Sequence, residues 1–334
     1  MTGPVVAVTM GDPAGVGPEI CVLAMSHSTV YDRVRSVIVG DVRRLEMARS
    51  ILLKAGRLQE HVPVFVAIKK MDEAKFAPGT VDVLDLQNVP EGLEWGHTSS
   101  EAGRASFEYV ERSVQLAVDR QVEAICTAPI NKEAWKLANI TYPGHTEALA
   151  FLSGSTHYAM MLVNGALRVV HVTTHVSMRD AVFQVTTKQV YDTIQLTAST
   201  LRQLGVGDPR IAVAGLNPHA GEGGLFGEED RREIAPAVEQ ARQAGINATG
   251  PWPPDSVFFR AANGEFDCVV AQYHDQGHIP IKMLGFDTGI NVTIGLPILR
   301  TSVDHGTAFD IAGKGVVREH SMIECIKVAA DLSN

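Results

Sequence analysis

Three histidines occupy equivalent places in the chain, each within a few residues of the end of an apolar run that reads as a β-strand. His175 follows Leu167–Val172, His219 follows Ile211–Leu216 and His274 follows Cys268–Gln272. In a parallel α/β sheet the carboxyl ends of the strands border one crevice, and ligands bind there. Three imidazoles leaving that edge can meet around one divalent ion, and three protein ligands leave coordination positions open for chemistry. Any one of them alone is more simply a hydrogen-bonding loop residue, so the shared placement carries the argument. Asp255 and Asp275 are the carboxylates suited to orient the imidazoles, and either can equally cap a helix or a turn. His278 and His305 are further imidazoles with weaker positional grounds.

A second group of residues suits anions. Gly11-Asp12-Pro13-Ala14-Gly15-Val16-Gly17-Pro18-Glu19 joins the first strand to the first helix, where glycines permit a tight turn and the helix start favours negative charge. It is not the Rossmann fingerprint, because Ile20 stands where the last glycine belongs. His145 and Thr146, in Gly144-His145-Thr146-Glu147, sit where a helix begins and can hold an oxyanion or merely start that helix. Lys282, Asn291 and Arg300 lie in a largely apolar stretch, and cations there need partners, either protein carboxylates or a substrate phosphate or carboxylate. Gly221–Gly227, just past His219, reads as a flexible loop or lid.

The elements that must position these residues are short apolar strands alternating with amphipathic helices. Val5–Met10, Ser36–Gly40, Val62–Ile68, Val81–Leu86, Ala124–Ala128, Met160–Val163 and Ile290–Ile294 read as strands beside the three that precede the histidines. Phe107, Val110, Val114 and Ala117 recur at helical spacing within 101–120. This alternation predicts an α/β fold with mostly parallel sheets. At 334 residues two domains are expected, and the glycine- and proline-rich stretches 215–227 and 250–254 read as loops inside the fold. A formal charge of −9, from 29 basic and 38 acidic residues, argues against general affinity for nucleic acid or an anionic membrane. Cys21, Cys126, Cys268 and Cys325 are far apart and read as small buried hydrophobes. No run approaches the ~20 apolar residues of a membrane span, and the chain opens without a signal-like segment, so a cytoplasmic location is expected.

Several of these stretches together resemble the 4-hydroxythreonine-4-phosphate dehydrogenase family. The resemblance runs nearly end to end, through Gly11–Glu19, Gly144–Glu147, Thr173–Asp180, Gly250–Asp255, Asn217-Pro218-His219-Ala220-Gly221-Glu222-Gly223-Gly224 and Tyr273-His274-Asp275-Gln276-Gly277 into Gly315. More distantly, the first loop and His305-Gly306-Thr307-Ala308-Phe309-Asp310 are similar to isocitrate and isopropylmalate dehydrogenases. The resemblance implies two-domain α/β/α layers, with a first domain of residues 1–128 plus 276–334 and a second of 129–275. It implies an active site in the interdomain cleft of a homodimer, completed by the partner subunit. His175, His219 and His274 match the family's metal ligands, and His145, Thr146, Lys282, Asn291 and Arg300 its substrate-holding residues. Gly11, Asp12, Gly15, Gly17, His305, Gly306, Thr307 and Asp310 fall in the cofactor loops. The implied cofactors are NAD and one divalent metal ion. The implied chemistry is oxidation of a phosphorylated hydroxy acid followed by decarboxylation, with Lys282 moving the proton and Asp255 and Asp275 assisting.

His278 and Thr9-Met10-Gly11-Asp12 are more similar to the catabolic branch, which acts on D-threonate or D-erythronate 4-phosphate and yields dihydroxyacetone phosphate. The vitamin B6 enzyme, a dihydrodiol carboxylate dehydrogenase and, from another class, a metal-dependent hydrolase are the competing readings.

Overall fold

The computed structural model describes residues 3–58, 62–285 and 288–333. Its strands in chain order are β1 Val5–Thr9, β2 Arg35–Gly40, β3 Val64–Ile68, β4 Thr80–Asp85, β5 Ala124–Thr127, β6 Ala159–Asn164, β7 Leu167–His171, β8 Ile211–Ala214, β9 Ala248–Trp252, β10 Cys268–Ala271, β11 Ile290–Ile294 and β12 Leu299–Ser302. The mostly parallel α/β fold expected from the alternating pattern is what the chain adopts. It divides into two compact units, Met1–His157 with Leu296–Asn334, and Tyr158–Gly295. Residues 129–157 thus pack with the first unit and 276–295 with the second, the reverse of the assignment made from sequence. The physical reason lies in packing: Trp135 and Leu149 join the apolar cluster of Ile125 and Leu296, and Ile281 joins that of Val169 and Val269.

In the first unit the strand order is β3-β4-β2-β1-β5-β12, with every pairing parallel. β1 is buried at all five positions, as a continuous apolar strand covered on both faces should be. β3, at the edge, leaves Val64 exposed. The helix Ser100–Val118 begins at Ser99, whose hydroxyl accepts from Ala102 N at 3.1 Å, a cap that typically contributes about 1 kcal/mol. Its face carrying Val110 and Val114 packs on Ile125 and Trp135.

In the second unit the order is β11-β6-β7-β10-β8-β9. β7, β10, β8 and β9 are parallel neighbours, whereas β6 runs antiparallel to both β7 and β11. Ala212, Val257, Phe258, Phe266 and Val269 fill the core beneath them.

Two strands escape the sequence pattern. β9 contains Gly250-Pro251 and lies at a sheet edge, where a missing N–H is tolerated. β12, Leu-Arg-Thr-Ser, has one apolar residue and is a strand by its pairing with β5. All four cysteines are buried and unbridged, and among the described residues no helix is long and apolar enough to cross a membrane.

Candidate functional site

Strand register brings the three singled-out histidines to one sheet edge. β7, β10 and β8 are adjacent and parallel, with Ala271 beside His171 and Val270 beside Val213. His175, His274 and His219 ride on segments leaving the carboxyl ends of those three strands. The rings of His175 and His274 lie 5.6 Å apart and, with Tyr273 and Asp275, line a cavity of about 270 Å³. His274 opens the helix His274–Leu284, and its Nδ1 donates to Asp275 Oδ1 at 2.7 Å. That bond leaves the Nε2 lone pair available, the arrangement in which a carboxylate orients a metal-binding imidazole. Asp255 is exposed at the start of the helix Pro254–Ala262 and bonds no imidazole among the described residues.

His219 stands apart from the pair, with its ring 6.1 Å from that of Phe226. Among the described residues no three His, Cys, Asp or Glu side chains converge closely enough to hold an ion. Two imidazoles at one edge, one of them already oriented by a carboxylate, fit a first-row divalent cation in donor type. The third donor is not brought to them within one chain.

The backbone that carries His219 is unusual. His219, Ala220, Gly221, Glu222 and Gly223 all have positive φ, between 41° and 77°. Three of the five are not glycine, and each such residue costs about 1–2 kcal/mol in that region. The buried carboxylate of Asp230 holds the segment from below. Its Oδ1 accepts from Leu216 N at 2.7 Å, and its Oδ2 accepts from Asn217 N at 3.1 Å and Asn217 Nδ2 at 2.9 Å.

Two further imidazoles pack under the edge. His278 Nδ1 meets the carbonyl oxygen of His274 at 2.9 Å, and the two rings stack at 3.6 Å. His171 ends β7, is 4% exposed, and neither ring nitrogen has a hydrogen-bond partner. Burial foremost, then the neighbouring His278 and His274, drives its pKa down to about 3, so this ring is neutral. Gly277 has to be glycine, because a Cβ there would lie 2.3 Å from His171 Nε2. On the same unit Lys282 lies half-buried eight residues beyond His274 on one helix. Asn291 in β11 donates to Met160 Sδ at 2.9 Å, while its buried Oδ1 has no partner.

The first unit holds the anion-suited residues. Arg300, 3% exposed, donates from Nε and Nη2 to Thr127 Oγ1 at 3.1 and 2.7 Å. Burial lowers its pKa to about 10, which still leaves it a cation at neutral pH. His145 and Thr146 form the first turn of the helix His145–Leu152. The Nε2 of His145 is buried without a partner. Burial, then the charges of Arg300 and Lys132, holds this imidazole well below its ordinary pKa. Lys132 reaches the same place, since a Cβ on Gly144 would sit 3.3 Å from its Cε and 3.7 Å from its Nζ.

The glycine loops of this unit close on protein. A Cβ at Gly15 would lie 2.8 Å from Thr307 Cβ, and Val16 N donates to Thr307 O at 3.0 Å. Gly17 is packed equally tightly on Met10 O, and Gly11 on Pro129 O. Asp12 is fully buried, with Oδ1 accepting from Ala14 N at 2.8 Å and Oδ2 unpartnered. Burial raises its carboxyl pKa to about 6 against the opposing pull of the Ala14 N–H and Arg44. Glu19 accepts from Gly313 N and Gly315 N at 2.7 and 2.8 Å, tying the far loop to the first helix. His305 Nδ1 bonds its neighbour Gly306 O at 2.9 Å, and His305, Gly306 and Asp310 are exposed.

His171, Lys132 and Asp230 went unnoticed in the sequence. His171 stands four residues before His175 in His171-Val172-Thr173-Thr174-His175, a spacing that carried a signal. Lys132 follows an ordinary helix cap, and Asp230 lies in the charged run 228–233, which reads as a solvated face.

Comparisons with known proteins identify the family of the chain. Residues 32–329 match the family described as pyridoxal phosphate biosynthetic protein PdxA. The D-threonate 4-phosphate dehydrogenase of Cupriavidus necator is 49% identical over 99% of this chain and 97% of its own. The enzyme of that name from Salmonella typhimurium is 47% identical over 98% of each chain. The crystal structure of a 4-hydroxythreonine-4-phosphate dehydrogenase from Burkholderia phymatum superposes with a TM-score of 0.90 at 48% identity, covering 99% of both chains. With matches of this extent, the chain belongs to the PdxA family and is an enzyme of dehydrogenase type.

Proposed function

We propose that this dehydrogenase oxidises a phosphorylated four-carbon hydroxy acid, D-threonate or D-erythronate 4-phosphate, and releases dihydroxyacetone phosphate and carbon dioxide. The supporting observation is the cluster of Arg300, Lys132 and His145 in a chain of net charge −9. Such an acidic protein meets an anionic substrate through a few placed cations. The substrate named for the C. necator and S. typhimurium relatives is of this kind.

Arg300 and Lys132 bind the charged end of the substrate, and neutral His145 adds a hydrogen bond through its unpartnered Nε2. The open Oδ1 of Asn291 accepts from a substrate hydroxyl. Lys282 moves the proton at the oxidised hydroxyl and, after carbon dioxide leaves, at the carbon that retains the electron pair. His175 and His274 hold a divalent cation, with Asp275 orienting His274. His219 of a second protomer completes the set, so the working form is a homodimer. When bound, the cation supplies Lewis acidity and a nicotinamide supplies the hydride acceptor.

The test is a panel of D-threonate, D-erythronate and 4-hydroxythreonine 4-phosphates with a divalent ion and NAD or NADP. Nicotinamide reduction and carbon dioxide are both scored. Reduction with either four-carbon acid, matched by carbon dioxide, is the expected result. Preference for 4-hydroxythreonine 4-phosphate transfers the chain to the vitamin B6 reaction. Release of inorganic phosphate without reduction makes it a hydrolase.

A further inference from the structure

We propose that Asp230 is the positioning residue of the cation site, acting through the backbone that carries His219. The proposal rests on His219 being a cation ligand and concerns what makes it one.

A run of six residues at positive φ, 219 to 224, does not arise from local preference, because His219, Ala220 and Glu222 all have a Cβ that opposes it. Residues kept in sparsely populated backbone regions persist when their surroundings over-determine them, and they cluster at functional sites. Here the surroundings converge on one side chain. Asp230 is 2% exposed, and its two oxygens take Leu216 N, Asn217 N and Asn217 Nδ2 immediately before the turn. Asn217 Nδ2 also donates to Glu229 Oε2 at 2.8 Å, so the entry to the turn is held from two consecutive carboxylates.

The interior of the turn is shaped around the same group. A Cβ on Gly215 would lie 2.8 Å from Asp230 Oδ1, and one on Gly221 would lie 3.3 Å from Oδ2. The turn is therefore wrapped on the carboxylate on both sides of His219. The imidazole itself is exposed, with no hydrogen bond among the described residues. Its direction is set by the backbone and not by a partner of its ring. Where His274 is oriented by Asp275 at its own ring nitrogen, His219 is oriented through its main chain.

The experiment uses the full-length enzyme stripped with a chelator and titrated with Co²⁺ alone, followed by calorimetry and by the visible absorbance of the ion. His219→Ala abolishes binding. Asp230→Asn, which leaves one acceptor facing three donors, weakens Co²⁺ binding roughly 10–100-fold while the far-ultraviolet circular dichroism is unchanged. Asn217→Ala keeps both backbone N–H groups but removes the amide bonds, and it shows a smaller loss in the same direction. It also serves if Asp230→Asn does not fold. In both variants turnover of D-threonate 4-phosphate recovers as Co²⁺ is raised to saturation, which a merely structural defect would not allow. A folded Asp230→Asn or Asn217→Ala protein that binds Co²⁺ within twofold of the parent, while His219→Ala does not bind, overturns the proposal and spares the cation site. Full Co²⁺ affinity in His219→Ala removes both.

Discussion

Two glycine-rich loops follow parallel strands in this chain, and the structure uses them in opposite ways. In Gly11–Glu19 every close approach is to protein: Gly15 to Thr307, Gly17 to Met10, Gly11 to Pro129. The loop at 215–227 is built inward on Asp230 but presents His219 outward, with an exposed ring and three residues in a costly backbone region. Glycine content alone does not distinguish these cases. What does is where the loop sends its polar side chain: Asp12 is enclosed by the fold, whereas the His219 ring is turned outward.

The contrast can be broken by experiment. Substitutions at the histidine edge should act on turnover, and substitutions in the first loop on stability. The largest effect is expected for His219→Ala, with kcat lower by about a thousandfold or more, because a ligand to a catalytic cation supplies several kcal/mol of charge stabilisation. Its melting temperature stays that of the parent; near-normal kcat would remove His219 from the site.

Next is Asp12→Asn, read in urea unfolding from pH 4 to 7. The native carboxyl titrates at about 6 against an ordinary 3.8, so the folded state binds the proton more tightly. Its stabilising contribution is full below pH 4 and lost as pH rises through 6. The parent should therefore lose about 3 kcal/mol relative to the variant across that window. Parallel pH profiles would show that Asp12 is solvated or paired.

Gly15→Ala should cost about 2 kcal/mol through overpacking on Thr307, lowering the melting temperature by roughly 4–8 °C with kcat little changed. A kcat collapse in a stable Gly15→Ala protein would move the first loop into the chemical half of the comparison. The smallest effect belongs to Lys132→Met, where loss of an exposed charge should raise KM for phosphorylated substrates roughly fivefold and leave kcat alone. An unchanged KM would leave Arg300 and His145 to hold the anion without it.

Much of this was legible in the residues. The strands before His175, His219 and His274 are apolar and continuous, so their ends could be placed, and parallel topology then put all three imidazoles on one edge. Less was legible where a residue's role depends on what packs against it from far along the chain. β12 reads as polar and is a strand through β5; the cavity at His175 needs Tyr273 and Asp275. His171 looks like one more strand residue until Gly277 and His278 enclose it.

The amino-acid order by itself determined the layered α/β class, the alternation of strand and helix, and which imidazoles leave strand ends, because hydrophobic period and turn residues are local properties. Only the tertiary structure decided that Asp275 takes His274 while Asp255 takes no imidazole, that Asp230 underlies His219, and that the first glycine loop is filled by Thr307. Those outcomes depend on how side chains are oriented and, for Asp230 and Thr307, on what the fold brings against a loop from further along the chain, and local preference does not encode which neighbour a polar group will meet.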